Sequence, residues 1–70
     1  MYAVTLRKNT QTRRFTITPS EPAGWEVREE ENSQLVRQHV YTDWHRVERA
    51  KMGFTHAVDQ LVDDGWISTR

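Results

Sequence analysis

Polar and apolar residues alternate along the first part of the chain. Tyr2, Val4 and Leu6 fall on one side and Ala3, Thr5 and Arg7 on the other, the period of a half-buried strand. Residues 13 to 18 repeat the pattern with Phe15 and Ile17 facing in. The short polar run Asn9-Thr10-Gln11-Thr12 between them predicts a hairpin loop. Pairing Lys8 with Arg13 sets Leu6 opposite Phe15 and Val4 opposite Ile17, with Arg7 opposite Arg14 on the other face. Pro19, Pro22 and Gly24 then interrupt the strand, because proline lacks a backbone donor and glycine frees the turn. A third strand opens at Trp25 with Trp25 and Val27 inward. The polar residues 29 to 33 predict a turn, and a fourth strand follows over 34 to 41. Pairing Glu30 with Ser33 brings Val27 to Val36 and Glu26 to Arg37, an apolar pair inside and an ion pair outside.

Residues 44 to 62 carry the strongest pattern. Trp44, Val47, Ala50, Phe54, Ala57, Val58, Leu61 and Val62 recur every three or four positions, which gathers them into one helical stripe. Leu35, Val36, His39 and Val40 would also extend that stripe. A helix from 33 to 64 would, however, far exceed the usual ~11 to 12 residues, and Thr42-Asp43 is a ready N-cap, so 34 to 41 is read as strand. Gly65 stands where a left-handed C-cap is needed, with Trp66 placed to fold back on Leu61. Gly53, in mid-helix, reads as a tolerated weakness costing about 1 kcal/mol against alanine. The fold class is α+β: a four-stranded antiparallel sheet of two hairpins packed by one C-terminal amphipathic helix, in a single domain spanning 1 to 70. The expected core is Leu6, Phe15, Ile17, Trp25, Val27, Val36, Val47, Phe54, Val58 and Leu61.

Composition bears on stability. A chain of 70 residues without cysteine can use neither disulfides nor thiolate zinc sites, and small domains lean on such reinforcement or on self-association. Only 36% of the residues are hydrophobic and mean hydropathy is −0.87, but three Trp, two Tyr and two Phe supply large apolar surfaces for a core. A helix of ~21 residues is ~31 Å long while the strands reach only ~20 to 23 Å. Its apolar stripe should therefore overhang the sheet, and a homodimer is the expected way to cover it.

Ten basic and ten acidic residues cancel, so net charge points to neither nucleic acid nor membrane. The distribution is uneven: residues 1 to 20 hold Arg7, Lys8, Arg13 and Arg14 without an acid, and residues 21 to 34 hold five Glu against Arg28. No apolar run reaches the ~20 residues of a membrane span and the start lacks a signal-peptide layout; a cytoplasmic location is the expectation.

Two constellations carry chemistry. On the polar side of the helix His45, Glu48, His56 and Asp59 form two short-spaced His/acid pairs, the residue types of a metal-dependent or acid-base enzyme. The two histidines stand ~16 Å apart along the axis, so one ion cannot bind both, and each pair offers two ligands where a metal site takes three or four. No metal, cofactor or catalytic role is expected. The outward face of the predicted sheet would show Thr5, Arg7, Arg14, Thr16, Thr18, Glu26, Arg28, Leu35, Arg37, His39 and Tyr41. Of these Arg7, Arg14, Arg28, Arg37, His39 and Tyr41 are the candidate ligand residues, since guanidinium groups meet phosphates and rings stack on bases of single-stranded nucleic acid. Nothing here supplies an activated serine or a glycine-rich phosphate loop.

The stretch Tyr41-Thr42-Asp43-Trp44-His45-Arg46-Val47-Glu48, with Gly65-Trp66 closing the helix, resembles small bacterial proteins of similar length whose function is not assigned, and this resemblance implies no activity. The order of four strands and one helix also resembles a PUR repeat or half of a whirly domain, families that bind single-stranded nucleic acid through a sheet, often as paired repeats. Trp44 to Val47 is similar to the WGR domain, without its glycines. The expectation is thus a small non-catalytic binding module, self-associating, with single-stranded nucleic acid as the first ligand to test.

Overall fold

The computed structural model describes residues 2 to 69. In chain order it contains β1 (Tyr2–Lys8), β2 (Gln11–Pro19), β3 (Trp25–Glu31), β4 (Gln34–Tyr41), α1 (Trp44–Asp63) and β5 (Ile67–Thr69). The strands form one antiparallel sheet in the order β4-β3-β2-β1-β5. The helix lies across one face. The fold is α+β as expected, but the sheet has five strands, not four. The extra strand is three residues after the helix, too short to show a period; it pairs Ile67 with Arg7 and Thr69 with Thr5.

Both hairpins turn on two residues. Lys8 pairs with Gln11 around Asn9-Thr10, with Asn9 at φ 56, and Glu31 pairs with Gln34 around Asn32-Ser33, both at positive φ, the backbone a tight primed turn requires. The tighter first turn shifts the expected register by two, so Val4 faces Phe15, Leu6 faces Arg13, and Arg7 meets Thr12 instead of Arg14. An even shift keeps every side chain on its face. In the second hairpin a bulge follows Leu35, and beyond it Val27 meets His39 and Glu29 meets Arg37. The expected pairing is displaced by three there. An odd displacement turns Arg37, His39 and Tyr41 to the helix side and leaves Val36 exposed, so Val36 is not core.

Val4, Leu6, Phe15, Ile17, Val27, Val47, Phe54 and Val58 form the buried core. Phe54 carries most of the helix contact, its ring 4.9 Å from that of Phe15 and 6.1 Å from that of Tyr2. Trp25 and Leu61, expected in the core as mostly buried, are half-buried at its margin. Trp25 packs edge-on against Trp44 at 4.9 Å.

The helix ends as its sequence predicts. The Asp43 carboxylate accepts from the His45 N–H at 3.0 Å and caps the first turn. At the other end the Gly65 N–H donates to Val62 and the Trp66 N–H to Leu61, with Gly65 at φ 99, a Schellman ending. Lys8 donates to the Asp64 carbonyl at 2.8 Å, bringing a cation to a C-terminus whose own last turn has none. A side chain at Gly53 would meet nothing within 4 Å, so internal packing does not require glycine there. Gly24 differs: at φ 91, an added Cβ would sit 2.5 Å from the Tyr41 carbonyl oxygen. No helix among the described residues is long and apolar enough to cross a membrane.

Candidate functional site

Five strands spaced ~4.8 Å apart make a sheet ~19 Å wide, whereas a helix with its side chains covers only ~10 to 12 Å. One flank must remain open. It lies over β3 and β4, where seven of the eight β4 residues are exposed. The gap between this flank and α1 is a cleft of about 720 Å³. Phe15, Val27 and Phe54 form its floor and Ala50, Gly53 and Ala57 its helix wall.

The polar lining is strongly one-signed. Arg13, Arg37, Arg46 and Arg49 face the cleft, with Glu29 as the single acid among the described residues. Glu29 alternates with Val27 on the inner face of β3 and is 9% exposed. A carboxylate placed so deep needs partners. Arg13 donates to its Oε2 at 2.8 Å and Arg37 to its Oε1 at 3.0 Å. Arg13 also lies over the Phe15 ring, 5.5 Å from its centroid, within cation–π range. Arg46 and Arg49, three apart on the helix, are exposed and have no ion pair among the described residues. His39 stacks on Tyr41 with centroids 5.6 Å apart and planes 17° from parallel, an aromatic step at the β4 edge of the cleft.

The six sequence-predicted ligand residues therefore divide between two faces. Arg37, His39 and Tyr41 line the cleft, while Arg7, Arg14 and Arg28 stay on the open face. There Arg28 is held by Glu30 at 3.2 Å and Glu26 at 3.8 Å, and Arg14 stands opposite Glu30. The expected repulsion between Arg7 and Arg14 does not arise. Sequence reasoning missed Arg13, Arg46 and Arg49. The signal for the helix pair was available: Arg46 and Arg49 flank the stripe residues Val47 and Ala50, so they had to emerge at one edge of the helix contact. On the other side of the helix His45, Glu48, His56 and Asp59 are all exposed, and among the described residues no three His, Asp or Glu side chains converge as metal ligands.

The fold and the cleft define a small α+β domain with a cationic groove between helix and sheet edge. Compared with protein-family models, curated proteins and solved structures, the chain finds no match in any of the three.

Proposed function

We infer that the protein is a non-catalytic binding module whose cleft between α1 and β4 takes single-stranded nucleic acid. The observation that carries this reading is four arginines to one glutamate around a groove that also presents the stacked pair His39 and Tyr41. Guanidinium groups pair with phosphates in a fixed fork, and an exposed aromatic step accepts an unpaired base. The bases of a single strand are free to stack on such a step and those of a duplex are not, which favours the single strand. Arg46 and Arg49 are the phosphate contacts, being exposed and, among the described residues, without acidic partners; Arg37 is shared with Glu29. The open face is balanced by Glu26 and Glu30 and is the weaker candidate. Self-association is part of the same reading, because Trp44 and Val62, at the two ends of the helix stripe, stay about half exposed.

Fluorescence anisotropy of a labelled single-stranded oligonucleotide tests this reading. With three to four phosphates engaged, log affinity should fall with log salt at a slope of about −2 to −3. Arg46→Ala plus Arg49→Ala should weaken binding about tenfold or more and flatten the slope by about 1.4. Arg7→Ala plus Arg14→Ala should change little. Binding that ignores salt, or that depends on the open-face pair and not the helix pair, removes this reading.

A further inference from the structure

β4 is the long open edge of the sheet, and the ladder fixes where its backbone groups point. The Asn32 N–H donates to the Thr12 carbonyl at 2.8 Å, so Thr12, and with it Arg14, Thr16 and Thr18, bond toward β3. Alternation carries the phase across the sheet. Val27 and Glu29 bond toward β4, and His39 and Arg37 opposite them bond back. Gln38 and Val40 therefore aim their N–H and C=O groups out of the sheet edge. Leu35, Val36 and Val40 on the same strand are about half exposed. A long edge with free amides and apolar side chains is a template for another strand.

We propose that two copies of the chain pair edge to edge through β4, antiparallel about a two-fold axis at Gln38. Only outward-bonding residues can pair with each other, which puts the axis at a residue of β4, and Arg37, Gln38 and His39 are the centres that overlap most of the strand. A centre at Arg37 sets two arginines directly opposite, and a centre at His39 pairs Val40 with Gln38. A centre at Gln38 sets Gln38 against itself, puts Arg37 opposite His39, and brings Val40 of each copy beside the bulged Val36 of the other. Of the three, this register alone brings the half-exposed Val36 and Val40 of the two edges together. It also sets no two arginines opposite each other: Arg37, held by Glu29 at 3.0 Å, faces the partner's His39, and β4 carries no other arginine, lysine or acid. The pairing completes the site: Arg37 and His39 project to the helix side, so the partner's Arg37 lies against the His39 end of each cleft. Two grooves then form one cationic path across a ten-stranded sheet. The pairing rests on the edge strand and not on the nucleic-acid reading, and its test uses no ligand.

Sedimentation equilibrium across micromolar to millimolar concentrations should give twice the 8.3 kDa chain mass. Gln38→Pro removes the outward N–H, at a place where edge strands accept proline, along with the exposed side-chain bond from Gln38 to Glu26, and should return the mass to one chain with an unchanged circular-dichroism spectrum. Gln38→Cys gives an independent readout should the proline variant fail to fold. Opposed Cα atoms in a hydrogen-bonded antiparallel pair lie about 5.5 Å apart, within disulfide reach, so mild oxidation should yield a covalent dimer. Ile67→Cys on the far edge should form no disulfide-linked dimer. A parent protein of 8.3 kDa at every concentration overturns the proposal. So does a Gln38→Pro dimer, which would place the contact at the helix ends, or a Gln38→Cys chain that resists oxidation where Ile67→Cys does not.

Discussion

Replacing Glu29 with Gln separates the stability of this domain from its proposed binding. The carboxylate is 9% exposed and accepts one arginine on each oxygen. Glutamine keeps the volume and one acceptor but loses the charge, and its amide turns a donor toward a guanidinium. The two losses are unequal. Arg13 has a quarter of its side chain exposed and Arg37 about three-fifths, at 25% and 62%. A charge-assisted bond in the Arg13 position contributes about 1.5 to 3 kcal/mol, while the solvated Arg37 bond contributes at most about 1. Among the described residues Arg13 Nε already lacks a partner, so a further lost bond adds to an unsatisfied group. The substitution should cost about 2 to 3 kcal/mol, a large share of the ~3.5 to 10 kcal/mol expected for 70 residues. Urea unfolding followed by tryptophan fluorescence measures it, and the melting temperature should drop by roughly 10 °C or more. Arg37→Ala should cost under about 1 kcal/mol in the same assay. Oligonucleotide affinity of the folded variant should rise, because the only acid among the described residues of the cleft is gone. A Glu29→Gln protein within about 0.5 kcal/mol of the parent would refute the argument that burial makes this pair matter.

Phe54→Ala removes the ring that joins helix to sheet and should cost about 3 to 5 kcal/mol, enough to leave much of the chain unfolded at room temperature; a melt within a few degrees of the parent would show that another residue carries the contact. Gly24→Ala forces a Cβ against the Tyr41 carbonyl at a left-handed φ, so denaturant midpoints should fall by the equivalent of at least about 1 to 2 kcal/mol. An unchanged midpoint would mean the loop before β3 relaxes freely.

Local pattern determined most of the architecture. The period of 3.6 in residues 44 to 62 and the caps at Asp43 and Gly65 defined α1, and the period of two defined β1 to β4, because these signals depend only on near neighbours. The inward face of β1 and β2 was legible even though the register was not, since a slip of two leaves every side chain on its side. The bulge after Leu35 was not legible. It adds one residue to β4 for reasons of pairing with β3, and that single residue moved Arg37, His39 and Tyr41 from the open face to the cleft. β5 is three residues long and exists only because the edge of β1 is there to receive it. The sequence by itself thus named half of the site's residue types and put them on the wrong surface. Only the tertiary structure joined Arg13 and Glu29 from neighbouring strands to Arg46 and Arg49 from the helix, because a cleft is where one narrow helix fails to cover a wider sheet, and no single element records that mismatch.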